Sequence, residues 1–332
     1  MAQTQGKATA AAHSNIALVK YWGKRDEGLI LPWQSSLSVT LAPLEVKTTV
    51  AFGAKEDSVR INGKEAKGSE RARVLALAQV LREEAPGLGP VRVESEGNFP
   101  ASAGLASSAA AFAALALALR QAAGLPMEVE ATSLLARQGS GSACRSVQGG
   151  VCVWHRGQRA DGADSLARQH FGPQHWPSLR MVAVILSREA KATHSRDGMR
   201  SAVQTSPYYP AWVASAEADI APALEAIAAR DLARLGALAE CNAWRMHATS
   251  FAANPPLSYI KPTTLALLLA LEEERQRGTP LWFTLDAGPN PVLLTEEAHL
   301  PRVLAFVEAF SPLETVVCHP GGDARLLEAH LF

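Results

Sequence analysis

The sequence predicts an α+β fold, and three observations carry that reading. Strand-like and helix-like segments mix without strict βαβ alternation. Residues 181–186, Met-Val-Ala-Val-Ile-Leu, form a continuous apolar run of the kind a fully buried strand needs. The chain has 332 residues, 48% hydrophobic and 19% charged, which is ample material for a large core and excludes disorder as the main state. At roughly 100–200 residues per domain, this length means one large domain or two closely packed lobes. The strand at Met181 marks the start of the second, giving lobes at 1–180 and 181–332.

Taken in order, residues 15–19 read as an apolar strand ending at Lys20. Residues 36–51 read as two strands broken at Pro43, the second alternating with a period of two. Short strands follow at 58–62 and 91–95. Between them, Val74, Leu75, Leu77, Ala78 and Leu81 give 68–85 helical spacing. An Ala/Leu helix runs from the loop at Pro100 to about residue 122, stopped by Gly124 and Pro126. A shorter helix at 128–138, a Gly/Ser turn and a strand at 150–155 complete the first half. The second half adds helices at 197–205, 210–229, 231–250 and 262–277. Strands at 281–285 and 291–295, a helix at 300–309 and a strand at 314–318 close the chain. Trp154, Trp176, Trp212 and Trp282 are expected in the core or between lobes.

Composition excludes several classes of function. Lys plus Arg (32) balances Asp plus Glu (32), so no bulk charge draws the chain to nucleic acid or acidic membranes. The uncharged stretch Phe99–Leu119 imitates a membrane span but is mostly Ala with Ser and Gly, too weakly apolar to insert. Cys144, Cys152, Cys241 and Cys318 are scattered, which fits a reducing cytoplasm better than a disulfide framework. Residues 1–12 lack a signal-peptide pattern. The nine histidines show no metal-ligand spacing, and His247 is expected as a packed helix residue.

Five segments carry chemistry. In Pro100-Ala-Ser-Ala-Gly-Leu-Ala-Ser-Ser, a turn of small residues feeds a helix, so free N–H groups and the positive helix end meet where a phosphate would sit. The alternative is an Ala-rich buried helix with a serine cap, and both stay open. Asn15-Ile-Ala-Leu-Val-Lys-Tyr-Trp-Gly-Lys24 sets Lys20 and Lys24 beside Tyr21 and Trp22, either in an anion-holding cleft or as solvated lysines. Arg137-Gln-Gly-Ser-Gly-Ser-Ala-Cys-Arg-Ser146 places Ser140 and Arg145 on a tight turn, an oxyanion cradle or a plain connection. Neither serine lies in Gly-x-Ser-x-Gly, so a hydrolase elbow is disfavoured. Lys191, Ser195 and Arg196 group at the end of the 181–186 strand. Asp286, in Thr284-Leu-Asp-Ala-Gly-Pro-Asn290, is an ordinary turn residue or a carboxylate on a rigid strand end.

Together these segments resemble the mevalonate diphosphate decarboxylases of the GHMP kinase superfamily. The resemblance spans Lys20-Tyr-Trp-Gly-Lys24, Leu31-Pro32 with Ser35-Ser-Leu-Ser-Val-Thr-Leu41, Gly104-Leu-Ala-Ser-Ser108, Arg137–Arg145, Asp161-Gly-Ala-Asp-Ser165, Ser195-Arg196 with Gly198-Met199, Asn242 with Met246-His-Ala248, and Asp286-Ala-Gly-Pro-Asn290. It implies a two-lobed GHMP kinase fold with a cleft between the lobes, usually dimeric. It also implies a cytoplasmic enzyme that uses ATP and Mg²⁺ to convert mevalonate 5-diphosphate to isopentenyl diphosphate, ADP, phosphate and CO2. By the same resemblance Asp286 acts on the substrate's 3-hydroxyl with Lys20 beside it. Tyr21, Lys24, Ser140, Arg145, Ser195 and Arg196 hold the substrate. Ser102, Ala103, Gly104, Leu105, Ala106, Ser107 and Ser108 cradle the ATP phosphates, with Ser107 near the metal. The chain departs from the family pattern at Gln34, which puts nucleotide-side contacts in question, and at His194 and Pro291. Competing readings are a phosphomevalonate decarboxylase or mevalonate 3-kinase of the same fold, and a non-catalytic nucleotide- or metabolite-binding regulator.

Overall fold

The long strand Lys7–Val19 runs antiparallel to Ser36–Phe52 over most of its length in this computed structural model, which describes residues 6–99, 107–189 and 193–332. Ala8, Ala10 and Ala12 of the first strand face Ala113, Ala114 and Ala116 of the helix Ser107–Ala122 in one buried cluster. Small side chains on both partners let helix and sheet approach closely, and Leu115, Leu119 and Phe112 fill the remaining volume against Val50, Val93, Leu77 and Leu81. The helices Gly68–Glu84 and Val129–Gly139 complete that layer.

Pro43 does not end a strand. Ser36–Phe52 is one element, and the expected break is instead a bulge, where pairing with the first strand jumps from His13↔Glu45 to Ser14↔Leu41. A bulge tolerates proline because it leaves the missing N–H outside the ladder. On its other edge this strand pairs with Val91–Gly97 and with Val151–Trp154.

Leu179–Ile185, with Met181 to Ile185 fully buried, lies between Val292–Glu296 and Glu314–Pro320, antiparallel to both. Trp282–Thr284 extends this group beyond Val292–Glu296. His319 and Pro320 then pair with Ala42 and Leu41, joining strands from both halves of the chain into one twelve-stranded sheet. The helices Pro262–Gln276 and Leu300–Glu308 cover Val182, Val184 and Phe283 on one face. Trp154, Trp176, Trp212 and Trp282 are all buried.

Other differences from the sequence reading are local. The helical stretch 210–229 is two helices, Tyr209–Ala218 and Ile220–Ala229, divided at Asp219. Ala167–Phe171 and Arg325–Leu327 are strands the pattern does not reveal, being short and half exposed, with their order supplied by the partner strands. The Gly/Ser turn is a 3₁₀ helix, Gly141–Ser146. Among the described residues no helix is long and apolar enough to cross a membrane.

Candidate functional site

Two strand ends from opposite halves of the chain meet at one ion pair. Lys20 is the first residue beyond Lys7–Val19, and Asp286 lies two residues beyond Trp282–Thr284. Lys20 Nζ donates to Asp286 Oδ1 at 2.7 Å and to the carbonyl of Ala17 at 2.7 Å. Thr284 Oγ1 donates to the same carbonyl at 2.9 Å, tying the two strands together beside the pair. The lysine side chain is 1% exposed and the aspartate side chain 29%, so the carboxylate faces open space while the ammonium sits behind it. Burial pushes the Lys20 ammonium down from its ordinary value, and the Asp286 charge works against that fall. Asn290 fixes the turn after Asp286, accepting from the amides of Leu186 and Ser187 and donating to the Ser187 carbonyl. Pro291 costs the sheet nothing here, since its carbonyl alone is used, accepting from Val184 N–H. Gln34, the departure from the family pattern, is buried and donates to the carbonyl of Lys20.

Arg145 approaches the pair from the 3₁₀ helix. Its guanidinium donates to Ser36 Oγ at 2.6 Å and Asn15 Oδ1 at 3.3 Å, and lies 6.0 Å from the Trp154 ring. Asn15 in turn donates to Ser146 Oγ and the Ser142 carbonyl, so three segments hold one fully buried cation in place. Tyr21 packs against Trp154 at 4.7 Å, and its buried hydroxyl has no hydrogen-bond partner among the described residues. A buried phenol left unpaired is costly unless a ligand supplies the partner. Burial pushes the Cys144 thiol up to about 12, which favours the protonated form, and it donates to the Gly141 carbonyl.

A second cationic group lies a few residues back along the same loop. The Gly139 carbonyl accepts from Arg73 Nε and Nη2 (3.1 and 2.7 Å) and from Arg196 Nη2 (3.4 Å). Two guanidinium groups thus share one acceptor, and burial together with the Arg196 charge pulls Arg73 down to about 10. Ser108 Oγ lies 3.4 Å from Ser140 Oγ next to them. Arg73, Ser107, Ser108, Asn62, Phe99 and Phe112 are among the residues lining a largely apolar cavity. Residues 139–145 therefore run from the Arg73–Arg196 group to the Lys20–Asp286 pair.

Models of known families match both halves of the chain. The diphosphomevalonate decarboxylase-like N-terminal domain covers residues 12–167, and the mevalonate 5-diphosphate decarboxylase C-terminal domain covers 181–323. The chain belongs to this decarboxylase family. The diphosphomevalonate decarboxylase of Eremothecium gossypii is 39% identical over 320 residues, 91% of this chain and 81% of that protein. The human diphosphomevalonate decarboxylase is 38% identical over 319 residues, 90% of this chain and 79% of that protein. Among solved structures, the mevalonate diphosphate decarboxylase from Staphylococcus aureus superimposes with a TM-score of 0.92 at 34% identity, covering 97% of this chain and 98% of that one. A structure described as MDDEF in complex with MVAPP, AMPPCP and magnesium gives 0.91 at 38% identity, covering 97% and 99%. That of the decarboxylase from Enterococcus faecalis gives 0.90 at 38%, with the same coverage.

Against this family the remaining site candidates are placed unevenly. Lys24 is engaged by Glu27 at 2.5 Å. Ser195 opens the helix Ser195–Thr205, with His194 at its N-cap, and Arg196 follows on its first turn. Ser102, Ala103, Gly104, Leu105, Ala106 and Lys191 lie outside the described residues. Arg73 is the residue the sequence reading missed. Within a helix read for its apolar stripe, a single arginine next to Val74 looks solvated, and its partner at Arg196 is more than a hundred residues away.

Proposed function

We propose that this chain is an ATP-dependent diphosphomevalonate decarboxylase. It converts mevalonate 5-diphosphate and ATP to isopentenyl diphosphate, ADP, phosphate and CO2. The observation that carries the reading is the Lys20–Asp286 pair, a half-open carboxylate on a strand end with its buried lysine behind it, in a chain of this family.

Asp286 orients the tertiary 3-hydroxyl and accepts its proton as the oxygen attacks the γ-phosphorus of ATP and ADP departs. Lys20 holds that carboxylate in place through its hydrogen bond. Phosphate then leaves the tertiary carbon, whose developing positive charge the adjacent groups tolerate. The electrons of the breaking carbon–carboxylate bond form the double bond as CO2 leaves. Phosphorylation makes sense first because hydroxide is a poor leaving group, and the transfer itself rests on positioning and charge neutralisation. Tyr21, Lys24, Ser140, Arg145, Ser195 and Arg196 hold the substrate's carboxylate and diphosphate. The unpaired Tyr21 hydroxyl and the buried Arg145 support that assignment. Residues 102–108 cradle the nucleotide. Two guanidinium groups converging on one carbonyl beside Ser108 and Ser140 fit a polyphosphate carrying Mg²⁺. The metal would neutralise phosphate charge, with Ser107 as the hydroxyl next to it.

The first 180 residues form the nucleotide-binding lobe and the remainder the second lobe. The enzyme works as a cytoplasmic homodimer. Buried free thiols at Cys144, Cys152 and Cys318 favour a reducing compartment, and Leu265 with Leu269 exposes one helix face suited to a second copy. Incubation of pure protein with ATP and mevalonate, its 5-phosphate or its 5-diphosphate, following CO2 and ADP, tests the reading. ADP and CO2 in equal amounts with the diphosphate are expected. ADP without CO2 would make it a 3-kinase, and CO2 only from the monophosphate would move the substrate assignment.

A further inference from the structure

The amide of Lys20 lies just past the last paired residue of its strand, and its acceptor comes from elsewhere. Asn242, fully buried on the helix Leu232–Phe251, accepts that N–H through Oδ1 at 2.8 Å. Its Nδ2 donates to Asp219 Oδ2 at 2.9 Å, and Asp219 is itself held by Arg245 at 3.1 Å. Asp219 occupies the break between the helices Tyr209–Ala218 and Ile220–Ala229, where its side chain is free to turn toward Leu232–Phe251. The carboxylate fixes which way the Asn242 amide faces: a carboxylate accepts only, so the NH₂ points to it and the oxygen to Lys20.

We propose that Asn242 is a positioning residue for decarboxylation, oriented by Asp219 and setting the Lys20 backbone so that its ammonium reaches Asp286. This rests on the functional reading above. The helix touches both partners, because Gly236 lies against the Trp282 indole on the strand leading to Asp286, and the His247 ring lies near the backbone of Leu285 and Asp286. One rigid element thus spans strand ends that belong to different halves of the chain and sets their spacing. Errors of about 1 Å in such spacing cost on the order of a hundredfold in rate. The charged and titratable groups facing the Lys20 ammonium are Asp286, Arg145 from the 3₁₀ helix and His247 from this helix.

The test is a swap. Asn242→Leu removes both hydrogen bonds at similar volume, and Asn242→Asp keeps the acceptor but sets two carboxylates face to face. Asp219→Asn combined with Asn242→Asp restores a complementary pair. Expected is a fall in kcat of about 10- to 100-fold in each single Asn242 variant. KM for ATP should be little changed, and the double variant should recover to within about fivefold of wild type. The Lys20 titration, read from the ¹⁵Nζ signal, should move further down in Asn242→Leu. A double variant as slow as Asn242→Asp, or kcat losses matched by loss of folded protein with the Lys20 titration unmoved, would overturn the proposal. If the wild type turns over no mevalonate 5-diphosphate, the functional reading fails by itself, and the Lys20 titration still decides the role of Asn242.

Discussion

Lys20 is a buried cation whose only carboxylate contact, among the described residues, is Asp286. Asp286→Asn keeps the shape of the turn and removes the charge that accepts the proton, so kcat should fall about 10²- to 10⁴-fold. Affinity for a non-hydrolysable ATP analogue, measured by calorimetry, should hardly change, since no described nucleotide-side group contacts Asp286. Turnover within a few-fold of wild type would remove Asp286 from the chemistry. His247 sits behind the same pair. Burial, reinforced by the Lys20 ammonium, pushes its imidazole down to about 4, while the neighbouring backbone of Leu285 and Asp286 works the other way. An unfolded histidine titrates near 6.5, so between about pH 4 and 6.5 the unfolded chain binds a proton that the native one refuses. Stability from this group is therefore complete above about pH 6.5 and is lost as pH falls toward about 4, by about 3 kcal/mol. His13, His155 and His170 are also lowered by burial and contribute in the same direction. The contribution of His247 is thus the difference between wild type and His247→Asn in urea unfolding. That difference should shrink as the solution is acidified, and a constant one would show that His247 takes up its proton in the native state.

At the scale of elements, the helix Leu232–Phe251 positions the site through a close approach that only glycine allows. A Cβ on Gly236 would lie 2.2 Å from Cγ of Trp282, the first residue of the strand leading to Asp286. In an open helix Gly→Ala stabilises by about 1 kcal/mol. Here Gly236→Ala must move the indole or the helix, so Tm should fall, and kcat with it as Asp286 shifts. A higher Tm would mean that the helix does not press on this strand. Such contacts mark the limit of what the sequence discloses. Lys20 and Asp286 were legible because each follows an apolar strand with turn chemistry after it, a local signal. Asn242 was legible only as part of a family motif, and its orienter Asp219 not at all, because the break that frees Asp219 lies inside a stretch whose apolar spacing reads as one helix. Pro43 misled for the opposite reason. A local breaker signal was real, and the bulge absorbed it without ending the strand.

For the whole molecule, the distinctive feature is that the first strand is closed by the last. Arg325–Leu327 pairs with Thr9–Ala11, covering an edge that would otherwise present unpaired backbone. Beyond it, Leu331 N–H donates to Thr49 Oγ1 at 3.0 Å, and His330 Nδ1 lies 2.7 Å from Thr9 Oγ1. The Phe332 ring lies beneath both Lys7 (4.7 Å) and Arg92 (3.9 Å). The segment thus belongs physically to the first half of the sheet, although by sequence it follows all of the second. Deleting 325–332 removes one short ladder, the Arg325–Glu45 ion pair, two side-chain hydrogen bonds and two cation–π contacts worth about 0.5–1 kcal/mol each. Urea unfolding should show a loss of about 2–4 kcal/mol. Because these residues contact neither Lys20 nor Asp286, kcat of the protein that remains folded should stay within about twofold. The uncovered edge should also make the shortened chain self-associate, which light scattering would detect. An unchanged unfolding midpoint would mean that the first strand is held by Ser36–Phe52 and the Ala/Leu helix alone, and that the returning segment is packed there without stabilising it.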